Sequence, residues 1–317
     1  MPSFTVQLLL GRIHTRLKRA RLAHGHGMVN AWDEAVYLVL HALNLPPDRL
    51  TPYLERAVPS RARARAVALA SERIRRRIPA AYLTHEAWLG DYRFYVDERV
   101  IVPRSYIAEL LRERLAPWLP SRRRVRSVLD LCTGSGCLAI IAANTFNRAK
   151  VDAVDIDRAA LAVAERNIAS YRLKTRVRAL HSDMFSAVRG RRYDVIIANP
   201  PYVNAAAMRK LPREYRHEPR IALASGRDGL DAVRVILREA AGYLGPHGLL
   251  VVEVGHYRQR IEAAFPHYAF VWPDTSGGDD CVFILERREL LRAAAASQAQ
   301  TPAPRPASRA AAASRRR

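Results

Sequence analysis

Tyr193-Asp194-Val195-Ile196-Ile197-Ala198-Asn199-Pro200-Pro201-Tyr202 is the stretch from which the fold is read. Residues 193–198 form an apolar run without alternation, as expected of a strand buried on both faces in a parallel sheet. The loop at the carboxyl end of such a strand is where an open α/β sheet places its ligands. Asn199 precedes a proline, which pushes its backbone to an extended conformation. Pro200 and Pro201 each fix φ and remove a donor, so Asn199 and Tyr202 stand on a stiff turn. The turn suits capture of a planar, conjugated NH2 group. The Asn199 side-chain oxygen accepts one N–H, the Pro200 carbonyl the other, and the Tyr202 ring covers one face. Such a nitrogen is a poor nucleophile, and positioning is the main help a protein can supply. Read alone, the turn fits equally a proline-rich strand end with Asn199 as a cap.

Working outward, strand–loop–helix units repeat on both sides, the mark of a parallel α/β sheet. Strands are expected at 125–131, 151–155, 176–181, 193–198 and 249–254, with 268–272 and 281–286 closing the sheet. Between the first strand and its helix lies Asp130-Leu131-Cys132-Thr133-Gly134-Ser135-Gly136. Its glycines let a ligand approach the backbone, and the helix amino end favours negative charge. Asp155 ends the next strand 19 residues on (155 − 136), near the ~20 expected of an acid that binds ribose hydroxyls. Gly134, Gly136 and Ala139 also satisfy a dinucleotide fingerprint, so the loop by itself leaves NAD and S-adenosylmethionine open. Asp130 tilts the choice: a carboxylate there repels a pyrophosphate and suits the ammonium of a methionyl group. Asp183 is placed for the adenosine, or else is a helix N-cap, and Met184 and Phe185 are expected to pack on the base. Joined to the Asn199 turn, the loop favours S-adenosylmethionine.

The 317 residues allow about two domains. Three cysteines, Cys132, Cys137 and Cys281, without C-x-x-C spacing, argue for a reducing compartment and against a disulfide or zinc framework. No run reaches the ~18 to 20 apolar residues of a membrane span, so a cytoplasmic protein without membrane or metal partners is expected. Lysine and arginine outnumber acids 52 to 30, a net +22 that predicts attraction to a polyanion such as nucleic acid.

The organisation expected is a helical N-terminal substrate-binding domain over 1–86, a β-hairpin linker over 87–104, a nucleotide-binding α/β domain over 105–290 and a disordered basic tail over 291–317. The acid-free N-terminal stretch is read as a first helix, Asn30 as the start of a second, and Ser60 to Ile78 as a third. The polar side of the third helix carries Arg61, Arg63, Arg65, Arg73, Arg75, Arg76 and Arg77, a solvated face or a phosphate contact. The tail lacks apolar periodicity and, with the basic surface, is expected to add weak contact with nucleic acid.

At these residues the chain resembles the protein-(glutamine-N5) methyltransferases that modify translation proteins. More closely, it resembles the branch acting on ribosomal protein uL3 of the large subunit. His26-Gly27, Asn30 to Leu40, Arg77 to Thr84, Tyr95 to Ser105, Asp130 to Cys137, Val151 to Ile156, Asn199 to Val203 and Glu214 to Gly229 carry it. The resemblance spans about residues 24–290. It implies a class I (Rossmann-like) S-adenosylmethionine methyltransferase domain behind a small helical domain and β-hairpin linker. It also implies N5-methylation of a glutamine side chain in a large-subunit ribosomal protein, with ribosomal RNA as a weak contact of the basic surface and tail. Asn199, Pro200 and Tyr202 are then catalytic; Pro201 and Arg104 join them in binding substrate. Asp130, Cys132, Thr133, Gly134, Ser135, Gly136, Asp155, Asp183, Met184 and Asn199 would hold the cofactor. Ser105-Tyr106-Ile107 depart from the proline and acids usual in the release-factor branch. That branch is one rival, and an adenine-N6 methyltransferase, which also needs a conjugated NH2 held, is another. A ribosome-assembly factor without catalysis and a nicotinamide oxidoreductase fit the intact loop and turn less well.

Overall fold

The double-sided burial of 193–198 is met by a six-stranded sheet in the computed structural model, which describes residues 4–46, 49–119 and 124–299. Three helices lead the chain: α1 (Val6–Arg19), α2 (Ala31–Ala42) and α3 (Ser60–Arg76). A short α4 (Ala80–Thr84) leads into the hairpin β1 (Ala87–Leu89) and β2 (Tyr92–Phe94), then α5 (Ile107–Arg112). The alternating part follows: β3 (Ser127–Leu131), α6 (Cys137–Thr145), β4 (Lys150–Asp155), α7 (Arg158–Ser170), β5 (Val177–His181) and β6 (Tyr193–Ala198). It closes with α8 (Ala205–Lys210), α9 (Asp231–Glu239), β7 (Leu244–Glu253), α10 (Arg258–Ala264), β8 (Val282–Glu286) and α11 (Arg287–Ala299).

The strand order is β5-β4-β3-β6-β7-β8, parallel except for the antiparallel β8. Successive residues of each central strand enter opposite cores. Val195 and Ile197 pack with Val128, Val151 and the helices α5 to α7, whereas Ile196 and Ala198 pack with Leu129, Leu250 and the α9 side. Both faces are therefore covered, which is why the central strands read as continuous apolar runs. The order reverses between β3 and β6, so the glycine loop after β3 and the turn after β6 open on one crevice.

The helical N-terminal part has its own core, built from Leu9, Leu10, Ile13, Leu17, Leu38, Val39, Ala66 and Ala70. Asn30 caps α2 by accepting from the amides of Trp32 and Asp33. Asn167 on α7 ties the linker to the glycine loop: its Nδ2 donates to the Tyr95 and Ser135 carbonyls, and its Oδ1 accepts from the Tyr95 amide.

Three expectations are corrected. Arg73 is not on a solvated face; it is 1% exposed, with Nε donating to Glu34 Oε1 at 2.6 Å and Nη2 to the Ala23 carbonyl. Residues 268–272 do not form a strand. Val271 alone bridges Ile284, while Tyr268, Phe270 and Trp272 stack along the sheet edge as aromatic packing. The expected tail begins too early: α11 carries Leu290 and Ala293 into the core against β7, and only 300–317 lie outside the described residues. Alanine-rich helical turns pack through small side chains, which a search for large apolar residues passes over.

Ala293→Asp sets a charge in a fully buried site and is expected to cost on the order of 3 kcal/mol by urea denaturation. Arg292→Ala, one residue earlier and exposed, should stay within about 0.5 kcal/mol. Equal effects would mean α11 does not pack as described.

Candidate active site

The crevice holds a cavity of ≈ 340 Å³. Of the residues expected from sequence, Cys132, Gly134, Asp155, Asp183, Met184, Asn199 and Pro201 line it. Asp130, Thr133, Ser135, Gly136, Pro200, Tyr202 and Arg104 do not line it.

The glycine loop is shaped by its backbone. Cys132, Gly134 and Gly136 all have left-handed φ, at 57°, 53° and 78°. A Cβ on Gly136 would approach Ala164 Cβ to 3.1 Å, so that glycine serves the approach of α7, whereas Gly134 faces open space. Asp155 Oδ2 accepts the Gly134 amide at 2.8 Å, and its Oδ1 accepts the Asp157 amide at 2.9 Å. Asp130 braces the loop from beneath: its Oδ2 accepts from Thr133 Oγ1 and from the Ala139 amide, while its Oδ1 is buried without a partner. Burial raises the Asp130 carboxyl to about 7, and raises Asp155 above its ordinary range. Burial likewise pushes the Cys132 thiol up, so it stays neutral at physiological pH.

After β5, Ser182 Oγ rather than Asp183 accepts the Ala187 amide, leaving the Asp183 carboxylate at the cavity instead of on a cap. Phe185 does not reach the cavity. It is buried in the core and stacks on Tyr243 at 4.5 Å, because the turn after β5 points it under the sheet.

The Asn199 turn is oriented by a residue far away in sequence. Asn199 Nδ2 donates to the Arg104 carbonyl at 3.3 Å, which leaves Oδ1 without a protein partner among the described residues. The Arg104 guanidinium is committed elsewhere, forking onto Glu218 through Nη1–Oε1 at 2.6 Å and Nη2–Oε2 at 2.8 Å. Glu218 also accepts the Val102 amide at 3.1 Å, and His26 Nε2 lies 3.7 Å from it. Burial lowers His26 to about 4, so this histidine is neutral. Tyr202 packs against Gly255, where a Cβ would meet its ring at 3.0 Å, and edge-on to Tyr257. Gly229, at φ 86°, lets the chain pass the Tyr202 carbonyl, which a Cβ would meet at 2.5 Å.

Several residues in and around the crevice were not read from sequence. The far wall is Pro219, Ile221, Ala222, Ala224, Ser225 and Gly226, bonded to the turn through Val203 and Ala224 as a bridged pair. Arg99, Val100 and Ile101 of the linker form one rim. Glu253 accepts from Ser105 Oγ at 2.5 Å and the Tyr106 amide at 2.9 Å, and burial raises its carboxyl to about 7. An acid inside the apolar run 249–254 was the signal for it. Among the described residues, His256, Asp280 and Cys281 gather three potential metal-ligand atoms within 4.8 Å, and none of the three lines the cavity. No helix is long and apolar enough to cross a membrane, again among the described residues.

Residues 109–214 match the methyltransferase small domain family. The chain is 54% identical over 286 residues to "Ribosomal protein uL3 glutamine methyltransferase" of Bordetella pertussis, covering 90% of this chain and 96% of that one. Proteins of the same name from Neisseria gonorrhoeae and Burkholderia pseudomallei are 51% and 52% identical, covering 90% and 91% of this chain and 96% of each relative. With identity above 50% over nine-tenths of its length, the chain belongs to the ribosomal protein uL3 glutamine methyltransferase family and is a protein methyltransferase.

Proposed function

We propose that the chain transfers a methyl group from S-adenosylmethionine to the side-chain nitrogen of a glutamine in the large-subunit ribosomal protein uL3, in the cytoplasm. The observation that carries this is Asn199, anchored through Nδ2 with Oδ1 unengaged, at the edge of a cavity rimmed by carboxylates. The cavity suits the cofactor on its own terms. Val154, Ile156, Met184 and Val235 offer apolar walls for an adenine, and Asp155 and Asp183 offer acceptors for hydroxyls. The unpartnered Oδ1 of Asp130 sets negative potential beneath the loop for an ammonium.

When bound, S-adenosylmethionine supplies an electrophilic methyl group on a sulfonium. Asn199 Oδ1 and the Pro200 carbonyl accept the two amide N–H groups, which fixes the nitrogen and turns its lone pair out of the amide plane. Pro201 stiffens the turn, and Tyr202, wedged against Gly255 and Tyr257, closes one side. Arg104 acts through its carbonyl, with its charge neutralised on Glu218. The methylated nitrogen sheds its proton without a dedicated base. The helical unit, expected over 1–86 to bind substrate, is joined through the Ala23 amide to Glu214 of the segment that leads into the cavity wall.

Labelled S-adenosylmethionine offered in parallel to purified uL3, release factor and bare RNA tests the reading. Label is expected in uL3, at a glutamine by mass spectrometry. Label released by nuclease would favour the adenine rival, and faster labelling of release factor would move the chain to the sister branch.

Asn199→Ala is expected to lower kcat by roughly 10²-fold or more, the scale of losing one preorganised hydrogen-bond partner, with the cofactor dissociation constant nearly unchanged in calorimetry. Near-full activity would sink the role given to Asn199.

A pH dependence follows from Asp130. Its raised carboxyl is protonated below about 7 and charged above, so affinity for the cationic cofactor should rise from pH 6 to 8. Calorimetry across that range should find a shallower rise in Asp130→Asn. An identical slope in the variant would place the ammonium elsewhere.

A further inference from the structure

We infer that the groove between α1 and α3 is a docking surface for the phosphate backbone of RNA, with Arg12, Arg16 and Arg63 as its contacts. The inference rests on the charge layout of the helical unit and not on the acceptor reading, which it extends by a second partner.

Helix α1 carries Arg12, Arg16, Lys18 and Arg19 and no acid. Helix α3 carries six arginines and one acid, Glu72, which Arg75 and Arg76 already hold. Two of the remaining arginines turn away from the groove, Arg73 to Glu34 and Arg65 to His41. Arg12 and Arg63, from different helices, lie over the same Phe4 ring at 4.9 and 5.0 Å from its centroid. Arg16 is steadied by Ser71 Oγ, to which its Nη2 donates at 2.9 Å. Together with Ser60 and Val67 these side chains line a cavity of ≈ 410 Å³.

Ring contacts and a hydroxyl bring three guanidinium groups to one groove with no carboxylate among the described residues to offset them. Their mutual repulsion is relieved when an anion enters. A guanidinium fork matches phosphate oxygens in pairs, and cations along two packed helices suit a chain of repeated phosphates better than a single anion. A lipid surface fits poorly: the apolar face of α1, with Leu9, Leu10, Ile13 and Leu17, is spent in the core and cannot enter a bilayer.

The test measures anisotropy of a labelled mixed-sequence RNA bound to the full chain over about 50 to 200 mM salt. Arg12→Ala with Arg63→Ala should weaken binding at low salt and flatten the slope of log affinity against log salt by about one unit per arginine. Arg12→Lys with Arg63→Lys, which keeps the charges, should retain most of the slope. Methyl transfer to isolated uL3, followed alongside, should be unchanged in both variants, which separates a failure here from a failure of the proposed reaction. Both side chains are exposed, and circular dichroism verifies the fold. An unaltered slope in the double alanine variant overturns the inference. So does loss of all RNA affinity in a chain ending at Ala299, or binding of polyglutamate as tight as that of RNA.

Discussion

The carboxylate of Glu218 is the constraint on which the crevice depends. It is fully buried and accepts from the Val102 amide and from both terminal nitrogens of Arg104. These bonds fix the corner at Pro103, whose following carbonyl orients Asn199, and they fix the start of the segment that walls the cavity at Pro219. Neutral His26 reaches the same carboxylate from the helical unit. Taking such a pair out of water offsets much of its attraction, so its presence says more about position than about stability. The fork geometry makes it specific, since a lysine in place of Arg104 could not satisfy both oxygens and still leave the corner undisturbed.

Charge is sorted across the molecule. The chain is strongly cationic as a whole, yet Asp130, Asp155 and Asp183 are gathered at one crevice, and burial raises the first two above their ordinary range. A cationic cofactor would be repelled by the surface at large and drawn to that crevice. The cations collect instead on the outer helices, where α1 is free of acids and the arginines of α3 outnumber Glu72. The crevice and the α1–α3 groove thus favour ligands of opposite charge.

Sequence by itself determined the features that depend on near neighbours. Double-sided burial of 193–198 marked a central strand, Gly134 and Gly136 marked the loop after β3, and Asn30 marked the start of α2. The stiff turn at Pro200 and Pro201 followed from ring closure alone. Each of these is decided within a few residues along the chain, by strand period, by φ or by a cap.

Only the tertiary structure decided which side chain meets which. The Asn199–Arg104 bond spans 95 residues, Arg104–Glu218 spans 114, and the bond from the Ala23 amide to Glu214 spans 191. No local period encodes such pairs. That distance is why Arg104 reads as a substrate contact in sequence and is an anchor in the fold, and why Asp130 lies beneath the loop. For the same reason Phe185 goes to the core, Arg73 is buried with Glu34, and the wall from Pro219 to Gly226 went unassigned. Burial of a polar group is settled by the partner that folding brings to it, and the partner belongs to another element.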